Sequence, residues 1–205
     1  MAAIKCLIFD LGGVLVRLDY GRWFQALSRL VGHSAEDLLR RAEESGLGRD
    51  FDHGLIGPDV FVQRVRQEMS LDLGDDEIRS LWNSIFDRHA AMEELLADLV
   101  RRYPLVMLSN VNPWHFEHLS ANRDLFGLFK GHVLSFREKR MKPDPLIFMK
   151  AAKVGGFDPT ECVYVDDIQD YVDGAARLGM KAIRFQGRER LVEDLRALDV
   201  IVELE

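Results

Sequence analysis

Short apolar runs alternate along the chain with segments in which apolar residues return every three or four positions, and Gly, Pro or Asp stands at most changes of pattern. Apolar runs bounded by turn formers read as buried strands. Their alternation with helix-period segments predicts a parallel α/β sheet. Five strands are expected, at Ile4–Phe9, Pro104–Leu108, His132–Leu134, Cys162–Val165 and Lys181–Phe185. The first, second and fourth are apolar almost throughout, as strands covered on both faces must be, so these three are expected to lie centrally.

Helical periodicity covers Tyr20–Val31, Ala35–Ser45, Pro58–Met69, Asp75–Arg88 and Ala91–Arg102 between the first two strands. Further on it covers Met141–Val154, once Pro143 and Pro145 are passed, and Gln169–Leu178, which ends at Gly179 in a C-cap pattern. One crossover needs only one helix. The first four therefore predict a helical cap at 18–90, inserted into a core made of residues 1–17 and 91–205, with the fifth helix as the crossover. Ser45–Gly48 and His53–Gly57 are glycine-rich and are expected to break the insertion into hairpins.

Open parallel sheets bind ligands beyond the carboxyl ends of their strands, so the residues just after the central strands carry the functional reading. After the first strand comes Asp10-Leu11-Gly12-Gly13. A carboxylate there is either a nucleophile at phosphorus, with glycine N–H groups open to an anion, or the capping acid of a tight turn. After the second stand Ser109 and Asn110, which suit phosphate oxygens and equally suit an N-cap. Lys142 precedes Pro143, which keeps it out of helical geometry at the mouth of a helix. The fourth strand ends in Asp166-Asp167, adjacent carboxylates that repel unless a hard cation or a basic group compensates; this predicts a Mg²⁺ site.

Composition narrows the classes. With 205 residues, 47% hydrophobic and 30% charged, the chain has material for one large domain or a core with a modest insertion. A formal charge of −7 without a basic, aromatic-laced run argues against a nucleic-acid surface. No apolar run approaches a membrane span. The opening Met1-Ala2-Ala3-Ile4-Lys5 lacks a signal-peptide layout, and Cys6 and Cys162 sit in apolar runs without metal-ligand spacing. The expectation is a cytoplasmic protein with buried, reduced thiols.

Taken in order, Asp10-Leu11-Gly12-Gly13-Val14, Ser109-Asn110, Lys142-Pro143 and Asp166-Asp167 resemble the four spaced motifs of the haloacid dehalogenase superfamily, and the insertion after the first resembles its helical type-one cap. Phe9-Asp10-Leu11-Gly12, Leu108-Ser109-Asn110 and Met141-Lys142-Pro143 look most like the glucose-1-phosphate phosphatase-like branch. The resemblance implies an α/β fold, a Rossmann-like five-stranded parallel sheet core with an inserted helical cap. It also implies a Mg²⁺-dependent phosphatase of a small phosphorylated metabolite, a sugar phosphate, acting through an aspartyl-phosphate. Asp10 would be the nucleophile and Lys142 would offset its charge. Magnesium would lie between Asp10, the Gly12 carbonyl and Asp167, with Asp166 close by. Ser109, Asn110, Gly12 and Gly13 would meet the phosphoryl group. Independently of the resemblance, Arg49 and His53 are polar side chains in the glycine-rich break Ser45–Gly57, which is expected to overhang the strand ends; they are placed either to meet a substrate's hydroxyls or to form a solvated hairpin tip.

Two positions depart from the superfamily pattern. Gly12 stands where most of its phosphatases carry a second Asp as proton donor, and Tyr171 stands where an Asp or Asn is common, with Asp170 one residue earlier as a substitute. Asp19, just before a helix, reads as its N-cap rather than as the missing acid. Competing expectations are a dehalogenase, whose metal-free site would leave Asp166-Asp167 unexplained, and a non-catalytic binder of a phosphorylated metabolite.

Overall fold

The computed structural model describes residues 3–203, so residues 1–2 and 204–205 of the expected core lie outside the described residues. The chain opens with β1 (Cys6–Phe9), and β2 (Val16–Leu18) leads into α1 (Tyr20–Val31), α2 (Ala35–Ser45), α3 (Leu47–His53), α4 (Pro58–Met69) and α5 (Asp75–Asn83). β3 (Phe86–Arg88) returns the chain to α6 (Ala90–Leu99), β4 (Leu105–Ser109), α7 (Pro113–Ser120), α8 (Arg123–Phe126) and β5 (Phe129–Leu134). Then follow α9 (Ser135–Glu138), α10 (Pro145–Gly155), β6 (Cys162–Asp166), α11 (Gln169–Ala176), β7 (Lys181–Arg184) and α12 (Arg188–Ala197).

The main sheet has the order β5-β4-β1-β6-β7 with every pair parallel. The three strands expected to be central are so, and each is buried along its length. Alternation sends Leu7 and Phe9 to one face, with Met92, Leu95 and Leu96 of α6, and Ile8 to the other, with Ile147, Phe148 and Ala151 of α10. Cys6 and Cys162 lie opposite one another on β1 and β6, buried and unbridged. Register places Phe9 against both Met107 and Val165, so the chain leaves β1, β4 and β6 at one level.

Helices α1–α5 enclose a second apolar cluster, including Trp23, Leu27, Leu38, Phe51, Phe61 and Ile78. Phe51 and Phe61 stack at 4.3 Å, and Trp114 from α7 of the core stands edge-on to both at 5.6 Å. Asp19 caps α1, its side chain accepting from the Arg22 N–H at 3.2 Å. Among the described residues no helix is long and apolar enough to cross a membrane.

The structure differs from the expected elements where tertiary pairing or capping overrides periodicity. Asp75–Arg88 is not one helix. It stops at Asn83 because Phe86–Arg88 pairs antiparallel with Val16–Leu18, while Ile85 is buried in the cap cluster. The glycine-rich break contains a helix, α3, whose ends are set by Gly46 and Gly54 at φ +64° and +71°. Arg49 and His53 therefore sit on a helix and not on a loop tip. The helix expected from Met141 starts at Pro145, where the Asp144 side chain accepts from the Leu146 N–H at 2.9 Å, and Met141–Asp144 forms a turn instead. β5 begins at Phe129, three residues earlier than expected, because an edge strand tolerates the polar Lys130 and His132.

Gly155 gives a test of the packing between α10 and the sheet. A Cβ built there would lie 2.5 Å from Cys6 Sγ and 3.6 Å from Val106 Cγ2. Gly155→Ala should cost about 1–3 kcal/mol in urea unfolding, and most of that loss should vanish in a Cys6→Ala background. An equal cost in both backgrounds would mean that this contact is not its source.

Candidate active site

Asp10 is the first residue past β1 and is 6% exposed, with its N–H donating to Val165 O at 2.9 Å. Asp166 ends β6 beside it, fully buried. Lys142, 3% exposed, enters from the turn before α10, and its Nζ lies 2.9 Å from Asp10 Oδ1 and 2.6 Å from Asp166 Oδ2. Tyr164 Oη also donates to Asp166 Oδ2, and the Ile168 N–H donates to Oδ1 at 2.9 Å. Asp166 thus accepts from three donors, two on Oδ2 and one on Oδ1, and is the most heavily hydrogen-bonded of the three carboxylates.

Oxygen atoms of Asp10, Asp166 and Asp167 come within 4.8 Å of one another. Three carboxylates around one buried ammonium leave negative charge without a buried counterpart. Burial drives the Asp10 carboxyl up from 3.8 to about 7; Lys142 opposes the rise and Asp166 adds to it. Burial, then Asp166, also raises Asp167. Burial alone would lower Lys142, but Asp10 and Asp166 more than offset it and hold the ammonium charged. A purely oxygen donor set with surplus negative charge fits a hard divalent cation such as Mg²⁺.

Gly13 has φ +79°, and a Cβ on it would run into the Asp167 carboxylate, so only glycine fits between that side chain and the loop. Gly12 has no such backbone requirement; the obstacle to a Cβ there is Leu18 Cδ1 at 2.8 Å, the mobile end of a side chain. Ser109 is buried at the end of β4. Asn110 is committed to Lys142: its Oδ1 accepts from the Lys142 N–H at 2.8 Å and its Nδ2 donates to Lys142 O at 3.2 Å and to Tyr171 Oη at 3.3 Å. The Tyr171 ring centroid is 4.8 Å from Lys142 Nζ, a cation–π contact. Tyr171 thus covers the ammonium, while Asp170 is exposed in the first turn of α11. Tyr164 was missed from the sequence, although the two-residue strand period places it on the same face as Asp166.

Of the cap residues, Arg49 is exposed and lines a cavity of about 430 Å³ within the cap, together with Tyr20, Trp23 and Trp82. His53 docks the cap instead, its Nε2 lying 3.1 Å from Lys139 O. The neighbouring Asp52, which the sequence did not single out, accepts from Asn112 Nδ2 at 2.8 Å. Tyr20 is half-exposed by surface area, yet local desolvation at its hydroxyl, then the negative charges of Asp52, Asp10 and Asp167, hold its phenol un-ionised.

A family profile described as haloacid dehalogenase-like hydrolase matches residues 4–179. Curated relatives include D-ribitol-5-phosphate phosphatase of Bacteroides thetaiotaomicron, 25% identical, covering 88% of this chain and 91% of that protein. Phosphatase MT3486 of Mycobacterium tuberculosis is 30% identical over 98% of each chain. Among solved structures, a HAD family enzyme from Bacteroides thetaiotaomicron in complex with magnesium and inorganic phosphate superposes with a TM-score of 0.80. It is 28% identical, and the match covers 89% of this chain and 94% of that one.

The electrostatics predict how a metal acts on stability. Because folding raises the Asp10 pKa, its contribution to metal-free stability is complete below 3.8 and is lost as pH rises through about 7. A cation that binds the charged form reverses that loss and competes with protons at low pH. The increase in Tm produced by Mg²⁺ in scanning fluorimetry should therefore be larger near pH ~8 than near pH ~5. An equal increase, or a larger one in acid, would contradict the carboxylate site.

Proposed function

The chain belongs to the haloacid dehalogenase-like hydrolases, and from that premise we propose that it is a Mg²⁺-dependent phosphatase of a small phosphorylated metabolite, a sugar phosphate, acting through an aspartyl-phosphate on Asp10. It is a phosphoric monoester hydrolase like the phosphatases it resembles. The observation that carries the finer reading is the cluster of Asp10, Asp166 and Asp167 at adjoining strand ends, with Lys142 paired to Asp10 and Asp166. The two buried, unbridged thiols support a reducing, cytoplasmic setting.

Asp10, Asp167 and the Gly12 carbonyl would hold Mg²⁺, which supplies charge neutralisation for the transferring phosphoryl oxygens. Asp10 attacks phosphorus, and the bond to the leaving oxygen breaks. Lys142 fixes the Asp10 rotamer and offsets its charge so that an anionic ester can approach. Ser109 and the Gly12-Gly13 backbone meet the phosphoryl oxygens. Asn110, whose amide is spent on the Lys142 backbone, contributes by positioning that lysine. Water then attacks phosphorus in the aspartyl-phosphate, which releases phosphate and restores Asp10. Arg49, on the cap cavity, and His53, bonded to Lys139 O, bear on substrate choice through the cap.

A phosphate-release screen over sugar phosphates, nucleotides and acyl phosphates tests the reading. Wild type with Mg²⁺ should turn over continuously, and excess EDTA or Asp10→Asn should reduce release to background. Asp167→Ala should lower kcat and raise the Mg²⁺ concentration needed by at least the ~10–100-fold that loss of an outer-shell partner costs. Stoichiometric binding without release would instead identify a binder, and undiminished turnover in EDTA would remove the metal from the mechanism.

A further inference from the structure

Expelling an alkoxide from phosphorus requires a proton at the bridging oxygen as the bond breaks, and a group placed to deliver it contributes ~10²–10⁴-fold. None of the three gathered carboxylates is free to do so. Asp10 makes the bond to phosphorus, Asp166 is a buried carboxylate engaged by Lys142, Tyr164 and the Ile168 N–H, and Asp167, packed against Gly13, is committed to the cation in this reading. Gly12 has no side chain. The cap brings a fourth carboxylate, Asp52 of α3, which has no ion-pair partner among the described residues.

Resting on the phosphatase reading, we propose that Asp52 is the proton donor to the leaving oxygen, delivered from the cap across the cleft to Asp10. Its placement is built rather than incidental. Asn112, fully buried just past the end of β4, donates both amide hydrogens, one to Asp52 Oδ1 at 2.8 Å and one to His115 Nδ1 at 3.0 Å. Its orientation is fixed because the Asn112 Oδ1 accepts from the His115 N–H at 3.0 Å and His115 Nε2 meets Trp82 O at 3.0 Å. Asp52 Oδ1 is thereby held as an acceptor, and a proton on Asp52 resides on Oδ2. The backbone is tied as well. Ser135 Oγ donates to Asp52 O and accepts from the Val111 N–H at 2.9 Å, while Lys139 Nζ donates to Gly54 O. Gly54 at φ +71° leaves no space for a Cβ, which would fall 2.5 Å from Phe136 O.

The groups facing Asp52 leave its proton in place. His115 is kept neutral by burial, with its pKa pushed down to about 3, so the Asn112 relay brings no positive charge. Tyr20 on α1 is held un-ionised and is acted on by Asp52, Asp10 and Asp167 alike, which makes it a neighbour common to Asp52 and the carboxylate cluster. Lys139 is turned to the Gly54 carbonyl. Burial raises the Asp52 carboxyl to about 7, with the Asn112 bond opposing. In the reaction the Asp52 O–H proton passes to the leaving oxygen as the P–O electron pair moves there and Asp10 bonds to phosphorus. The resulting carboxylate then takes a proton from the water that attacks the aspartyl-phosphate, and Asp52 returns to the acid.

The test compares Asp52→Asn, whose amide oxygen still accepts from Asn112, with wild type on an alkyl phosphate and on p-nitrophenyl phosphate. The loss in kcat should be ~10²–10⁴-fold on the alkyl ester and at least about tenfold smaller on the aryl ester, whose leaving group departs without a proton. Adding Gly12→Asp to the Asp52→Asn protein should recover part of the alkyl loss, Leu18 turning aside for the new side chain. In wild type, alkyl turnover should fall as pH rises through about 7 while aryl turnover does not, a readout that needs no variant. Equal losses on both esters, an effect on KM alone, or parallel pH profiles would overturn the role of Asp52. A wild type inert toward both esters would overturn the phosphatase reading and this proposal with it.

Discussion

The burial of the Lys142 ammonium between Asp10 and Asp166 is the constraint on which the rest of the site depends. Parallel pairing of β1 with β6 puts Phe9 beside Val165, so two carboxylates must emerge side by side where water is largely excluded. Two like charges there are tolerable only with a cation between them. That requirement explains why Met141–Asp144 is a turn and not the first turn of α10: a helix would carry Lys142 away from the strand ends. Asn110 grips the Lys142 backbone at both its N–H and its carbonyl, and Tyr171 lies over its charge. A buried ion pair contributes little net stability, so the cluster is better understood as orientation and charge balance for an incoming anion than as glue.

The inserted helices meet this centre without disturbing the sheet. The chain enters them through Val16–Leu18 and leaves through Phe86–Arg88, and because these segments pair with each other the insertion starts and ends at one place. Trp114 of the core completes the cap's aromatic cluster, while the Trp82–His115–Asn112–Asp52 relay and the His53–Lys139 contact join the two polar surfaces. Apolar packing thus sets where the cap sits, and hydrogen bonds fix Asp52 and His53 against the core.

Sheet composition, the central strands and the residues at their ends were legible because buried parallel strands announce themselves as continuous apolar runs, and the polar groups of the candidate site follow their last residue. Asp10, Lys142, Asp166 and Asp167 meet as their positions implied. What stayed hidden depends on contacts between distant segments. The β2–β3 ribbon looks like the tail of a helix until its partner is known, and α3 looks like a loop because Gly46 and Gly54 are also the residues that cap helices. Asp52 could not be told from any other acid in a polar stretch, since its meaning comes from Asn112, sixty residues away in the chain. Asn110 was legible as a site residue, but its role as a clamp on Lys142 was not.

The proposed covalent bond between Asp10 and phosphorus is addressed directly by rapid acid quench of the enzyme with a substrate labelled in its phosphoryl group. Label should appear on the protein within the first turnover, be released by hydroxylamine as an acyl phosphate is, and map by mass spectrometry to the peptide containing Asp10. Steady phosphate release with no label on the protein at any quench time, or label on a residue other than Asp10, would contradict it.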